Sequence, residues 1–265
     1  EEYIDYLRDQ FYGTASHTKA LHVPKKKDGT SYKLDDLNTE QQAIVICAME
    51  AIIKFLTNDP TYKPLRATVM GCGGTGKSIL INTLVTCIRT IFQDNNSVFV
   101  TAPTGAAAYN VGGTTIHKEF KIGIKGNTTG NDLTNHARQE LMQKLLKTIA
   151  IFFDERSMIS QIVIGTAENN VRETAHNGGH DTEDWGGIPV VVAFGDDYQL
   201  PPPATLGAID SLFNQGKNKV SQNGAQQFIT LGRRTMELTK IMRQSEEQKQ
   251  FLKLLQNYRH GYPKD

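Results

Sequence analysis

Apolar residues fall along this chain in two alternating rhythms. Short continuous runs occupy 67–70, 97–101, 148–153 and 188–194, and each breaks off in a polar or glycine-rich turn. Runs of that length, bounded in that way, predict buried strands. Between them the spacing turns helical. Residues 80, 81, 84, 85, 88, 91 and 92 are apolar, which predicts a helix from 78 to 92. Another helix is expected to open in Leu37-Asn38-Thr39-Glu40-Gln41-Gln42, capped by Asn38 or Thr39, with 43–56 mostly buried. Further helices are expected over 132–147, 156–171 and 246–258. Residues 1–36 read as an amphipathic lead-in helix and a polar linker, and 204–232 as irregular with an amphipathic piece at 209–213. Strands alternating with helices predict an α/β fold. Its sheet is expected to be mostly parallel, with helices on both faces and a ligand across the C-terminal strand ends.

The turn after the first run carries the strongest chemical signal. Gly71-Cys72-Gly73-Gly74-Thr75-Gly76-Lys77-Ser78 fits G-x-x-x-x-G-K-[ST] between a predicted strand and a predicted helix. Glycines let the backbone turn its N–H groups inward at phosphate oxygens. Lys77 is placed to reach the β- and γ-phosphates, and the Ser78 hydroxyl to ligate Mg²⁺. The helix N-terminus beneath the loop adds its own attraction for anions.

The second signal is an apolar run that ends in Asp154-Glu155. Mg²⁺ keeps most of its waters and takes few protein oxygens, so Asp154 suits its shell. Glu155 is then placed to orient or deprotonate an attacking water. The acidic pair, and the absence of an Asn-Lys-x-Asp guanine-reading motif, point to ATP rather than GTP. A third run ends in Gly195-Asp196-Asp197-Tyr198-Gln199-Leu200, where Gln199 is positioned to sense the γ-phosphate.

Other stretches carry weaker signals. The side-chain amide of Gln41 offers the donor and acceptor that an adenine edge needs, but a surface Gln at a helix start reads the same way. The small residues of 102–108 bring backbone close to a nucleic-acid phosphate or to a neighbouring helix. Residues 118–148 hold six basic side chains against three acidic ones, which fits either a mildly basic nucleic-acid face or an ordinary solvated helix. His176 and His180 are four apart, but Gly178-Gly179 between them breaks any helical face that would present both to a zinc ion.

Composition narrows the class. The chain has 265 residues and a formal charge of +1, so any nucleic-acid surface is local rather than global. Its three cysteines lack metal-ligand spacing and suit a reducing, intracellular compartment. No window has the length and apolarity of a membrane span. The opening Glu-Glu-Tyr lacks an initiator Met, as a fragment of a longer chain would.

Taken together, these blocks resemble the RecD-like helicases of superfamily one, most closely their petite-integration-frequency (PIF) branch, with the rolling-circle Helitron helicases as near relatives. The resemblance runs from Leu37 to about Gly261 in the family's motif order. It implies a RecA-like P-loop ATPase that uses ATP and Mg²⁺ and acts on single-stranded or forked DNA. By the resemblance, Gln41 becomes the adenine reader, and Thr104 and His117 become single-stranded DNA contacts. Arg243 becomes the residue that touches the γ-phosphate, and 121–140 a small wedge insertion. Asp154-Glu155-Arg156-Ser157-Met158 looks like the family's Walker B block, although Arg156 stands where an apolar residue is more usual. Asp197 likewise replaces the commoner aromatic in the block that couples nucleotide to DNA.

The implied organisation is an extension at 1–36, a first RecA-like domain at 37–235, and at 236–265 the start of a connection to a second such domain. A monomeric motor travelling 5′ to 3′ is expected, in the nucleus or mitochondrion if the chain is eukaryotic. Two other readings stay open: a nucleotide-gated DNA-binding module without unwinding, and the helicase part of a Helitron-like transposon protein.

Overall fold

The computed structural model describes residues 20–123, 133–175, 183–203 and 218–242, together with Tyr6. Among these residues, β1 (Leu65–Gly71), β2 (Val98–Ala102), β3 (Thr114–Thr115), β4 (Ala150–Phe153), β5 (Val190–Gly195) and β6 (Thr235–Leu238) form one sheet. Their order is β3-β2-β4-β5-β1-β6, and every pairing is parallel. Parallel neighbours cannot be joined by a tight turn, so each crossover needs a longer connection that packs over a face. The helices α1 (Thr39–Leu56), α2 (Lys77–Phe92), α3 (Gly105–Asn110), α4 (Ile116–Glu119), α5 (Asn135–Leu145), α6 (Gln161–Thr174) and α7 (Lys219–Gly232) lie along these connections and around the sheet.

Every residue of β2, β4 and β5 is buried, as the continuous apolar runs require of strands covered on both faces. Successive side chains point to opposite faces, so each run divides between two cores. Phe152, Val190, Val192 and Phe194 pack with Val69 against α1 and α2. Ile151, Phe153, Val191 and Ala193 pack against α5, α6 and α7. An aromatic cluster anchors the second core. Phe120 stacks on Phe153 with 5.7 Å between ring centroids, and buried Trp185 lies 5.4 Å from Phe153. The Trp185 indole N–H donates to Gln227 Oε1 at 2.9 Å, so its polar edge is satisfied as well.

Several elements differ from the sequence expectation. Residues 219–232, expected to be irregular, form α7, capped by Asn218 in a reciprocal capping box with Ser221. Its Ser, Asn and Gly content disfavours a helix locally, but Val220, Phe228 and Leu231 form a buried stripe. The helix expected over 156–171 is split. Arg156–Met158 makes a 3-10 turn, and α6 starts after Ser160, whose hydroxyl accepts from the Val163 N–H at 3.2 Å. β6 was not foreseen, and it straddles the boundary expected between 235 and 236. The elements expected in 1–19, at 209–213 and at 246–258 lie outside the described residues, as do 124–132 of the expected wedge.

Two glycines allow α6 and α7 to cross closely. A Cβ on Gly224 would lie 1.8 Å from Gln161 O, and one on Gly165 would lie 2.2 Å from Val220 O. Because the obstacle is backbone, no side-chain rotation relieves it. Gly224→Ala is expected to lower the unfolding free energy by about 1–3 kcal/mol. Gly232→Ala, with nothing within 4 Å of the added carbon, should not destabilise the protein. Urea denaturation of both variants checks the pair.

Candidate active site

β1 ends at Gly71, and the chain turns through Cys72 to Gly76 before α2 begins at Lys77. Gly74 and Gly76 both take positive φ, 88° and 85°, a region that suits glycine. The turn is tied internally: the Thr75 hydroxyl donates to Cys72 O at 2.8 Å. The Lys77 ammonium donates to Gly71 O at 2.6 Å and to Cys72 O at 3.3 Å. Two outside segments also grip the loop. The Met242 N–H donates to Gly74 O at 2.8 Å, and Gln41 Nε2 donates to Thr75 O at 3.2 Å and Gly76 O at 3.3 Å.

Gln41 belongs to the cap of α1. Its Oε1 accepts from the Asn38 N–H at 2.9 Å while Asn38 Oδ1 accepts from the Gln41 N–H at 3.0 Å, so Asn38 rather than Thr39 is the capping residue. Gln41 is 1% exposed. Its amide, expected at an adenine edge, here holds the phosphate loop, and a Cβ on Gly76 would lie 2.4 Å from its nitrogen.

The acidic pair follows β4. Asp154 is buried, and burial pushes its carboxyl up to about 6. The Glu155 backbone N–H and the Lys77 charge pull the other way, while the Glu155 charge adds to the rise. Glu155 itself adopts a left-handed backbone, φ 51° and ψ 49°, unusual for a residue with a side chain. A cavity of about 460 Å³ brings the parts together. Lys77 and Ser78 line one side with the loop glycines, and Asp154, Glu155, Gln199 and Met242 line the rest. Gln199 is exposed, and its side chain donates to Asp196 Oδ2 at 3.3 Å. Ser78 and Asp154 thus offer a hydroxyl and one desolvated carboxylate to the same cavity, a donor set that fits Mg²⁺.

The two expected DNA contacts lie elsewhere. Thr101 of β2 pairs with Thr114 of β3, and Thr104 and His117 each stand three residues beyond that pair, at the same sheet edge. The Thr104 hydroxyl caps α3 by accepting from the Ala107 N–H at 3.2 Å. His117 is half-buried, and burial pushes its pKa down, favouring the neutral ring. Much of the basic excess nearby is already paired. Lys121 with Glu140, Arg138 with Glu173, Lys144 with Glu119 and Lys147 with Asp94 all form ion pairs within 3.5 Å. Arg243, His176 and His180 lie outside the described residues.

The structure also adds partners that sequence reasoning missed. Glu40 accepts from the Thr239 N–H at 2.9 Å and from the Thr239 hydroxyl, strapping the chain after β6 to α1. Arg156 pairs with Asp197. The sequence marked the second pair only as two separate departures from a family pattern.

The family profile of PIF1-like helicases matches residues 36–265. This chain belongs to that family. It is 31% identical over 254 residues to the ATP-dependent DNA helicase PIF1 of Candida albicans, covering 96% of this chain and 26% of that protein. The crystal structure of Pif1 helicase from Candida albicans superposes with a TM-score of 0.61 and 26% identity, covering 86% of this chain and 45% of that one. Pif1 helicase from Bacteroides in complex with ADP-AlF3 and ssDNA superposes at 0.59 with 26% identity, over 84% of this chain and 46% of that one. The PIF1-like chain therefore has a RecA-like α/β fold, and it spans about a quarter of the curated relative and just under half of the solved chains. No helix among its described residues is long and apolar enough to cross a membrane.

The raised Asp154 value has a consequence for stability. A carboxyl held above its ordinary 3.8 favours the fold when protonated, and that benefit is lost as pH rises through about 6. At pH 7 without a divalent cation, the ionised carboxylate weighs on the fold. Asp154→Asn is therefore expected to raise the unfolding free energy at pH 7 by up to about 3 kcal/mol, with little gain at pH 4. Urea denaturation in chelator at the two pH values checks this. An equal effect at both would refute it.

Proposed function

We propose that this chain is the N-terminal motor portion of an ATP-dependent DNA helicase, binding and hydrolysing ATP and contacting single-stranded DNA. The observation that carries the reading is the single cavity shared by Lys77, Ser78, Asp154, Glu155 and Gln199. Family membership supports it, as do the relatives: the Candida albicans protein is an ATP-dependent DNA helicase, and the Bacteroides Pif1 was crystallised with ADP-AlF3 and ssDNA. A second RecA-like domain, a monomeric 5′ to 3′ motor and forked DNA substrates belong to the same proposal. So do the divisions at 1–36, 37–235 and 236–265.

The chemistry is in-line attack of water on the γ-phosphate. The loop N–H groups and Lys77 hold the phosphates, Lys77 exchanging the carbonyls of Gly71 and Cys72 for phosphate oxygens. Ser78 and Asp154 would hold Mg²⁺, which supplies charge neutralisation across the phosphates when bound. Glu155, which lines the cavity, orients the water and accepts its proton. Gln199 on the opposite loop senses the γ-phosphate. Arg243 follows Met242, whose N–H is bonded to the loop at Gly74, and neutralises charge that grows in the transition state. Gln41 reads adenine only by exchanging its bonds to the loop, so its first role is to hold Thr75 and Gly76 in place. Thr104 and His117 contact the DNA strand along the β2–β3 edge.

ATP hydrolysis by the full-length protein, with and without single-stranded DNA, tests the proposal. DNA is expected to stimulate turnover. Glu155→Gln should lower kcat by about 10²–10⁴-fold while ATP binding persists, and Lys77→Ala should weaken binding itself. Parental turnover in Glu155→Gln would remove the base assignment, and indifference to DNA in the wild type would remove the helicase reading.

A further inference from the structure

One buried charge in this region stands outside the proposed chemistry. Arg156 follows Glu155 directly, is 7% exposed and does not line the cavity. Its Nη1 donates to Asp197 Oδ1 and lies 3.8 Å from Met70 Sδ, and its guanidinium covers the Phe228 ring at 5.5 Å. It therefore joins the turn after β4, the loop after β5, the end of β1 and helix α7. Asp197 stands two residues before Gln199. The two positions that break the otherwise matching motif pattern are thus partners across 41 residues of chain.

We infer that the Arg156–Asp197 pair is a positioning strut, which sets the loop bearing Gln199 against the turn bearing Glu155. The inference rests on the hydrolase reading above for its effect on turnover, but not for its geometry.

A buried ion pair adds little net stability, because desolvating both charges offsets most of their attraction. What it supplies is direction. A planar guanidinium, clamped between an aromatic face and a carboxylate, holds its partner in a fixed orientation. The ground beneath it is tight: a Cβ on Gly195 would lie 2.8 Å from Arg156 Cβ and 2.9 Å from its backbone nitrogen. The loop beyond is shaped internally by Asp196, which takes the Tyr198 N–H on its carboxylate at 3.2 Å and the Gln199 N–H on its carbonyl at 2.9 Å. Those bonds set the loop's own form. The Arg156–Asp197 pair sets where that form stands relative to Glu155. Two apolar residues at these positions would pack without fixing a direction, and loss of the Asp197 carboxylate would leave the Arg156 charge buried and uncompensated.

The test uses Asp197→Asn, Arg156→Met, the double variant and Arg156→Lys in the full-length protein. Hydrogen exchange of the 195–200 amides and ATP turnover with single-stranded DNA are the readouts. Each of the first two single variants should speed exchange at 195–200 and lower kcat by about 10–100-fold. KM for ATP should stay within about twofold, because the phosphate loop is intact. The double variant should be no worse than the worse single one, and Arg156→Lys should recover part of the loss. Unchanged exchange at 195–200 in Asp197→Asn, or losses that multiply in the double variant, would overturn the strut. Should Arg156→Met fail to fold, Asp197→Asn still decides, since Asp197 is partly exposed. If the wild type hydrolyses no ATP, the functional reading fails, while the exchange measurement still judges the pair.

Discussion

Parallel pairing of β4, β5 and β1 forces three strand ends to one edge of the sheet, and the candidate chemistry follows from that. Phe153 is level with Ala193, and Met70 with Gly195. By the same register, Asp154 leaves the sheet level with Phe194 and Val69, two residues below the start of the phosphate loop. An antiparallel partner would have sent one of these ends to the opposite edge. The division of each strand between two apolar cores holds the register, because a one-residue slip would exchange the faces of every side chain.

Within the sheet's frame, the loop is held by the protein's own hydrogen bonds. Its carbonyls receive Gln41, Thr75, Lys77 and Met242, so the conformation does not depend on phosphate for its hydrogen bonds. Lys77 rests on neutral carbonyls, and a phosphate oxygen competes well for such a cation because the new bond is between opposite charges. Asp154 is in the opposite condition. It is desolvated, with a carboxyl raised to about 6, and a divalent cation relieves what burial imposes. Cation and carboxylate thus both favour a charged ligand in the cavity, for different physical reasons.

The parts of this arrangement that were legible in the sequence share a cause. β2, β4 and β5 are buried on both faces and β1 on most of its length, and burial of that kind leaves an apolar run that periodicity detects. The phosphate loop was legible because positive φ at Gly74 and Gly76 restricts the residue type. α7 was not, because its helicity depends on Gly224 meeting Gly165 across the α6 contact, which a local window does not contain. β6 has a single buried residue, Leu238, and so leaves almost no pattern. The hold of Gln41 on the phosphate loop was not legible for a related reason. A side-chain amide can face a base or a backbone carbonyl equally well, and its bonds to Thr75 and Gly76 join residues more than thirty positions apart, which a local window does not contain.

The first turn of α1 shows how closely such decisions are linked. Asn38 caps the helix, Glu40 receives Thr239, and Gln41 holds the phosphate loop, all within four residues. A helix start normally leaves its N–H groups seeking acceptors, and here the capping box satisfies those of Gln41 and Asn38 while fixing the Gln41 side chain in direction. Glu40 brings in the chain after β6, and that chain returns to the loop through the Met242 N–H. The phosphate loop is therefore held from two sides by segments that are also bound to each other. Movement of the chain after β6 cannot leave the loop untouched, because Glu40 and Gln41 are successive residues of one helical turn. The segment ending at Met242 is thereby tied to the cavity through α1 as well as through its own N–H.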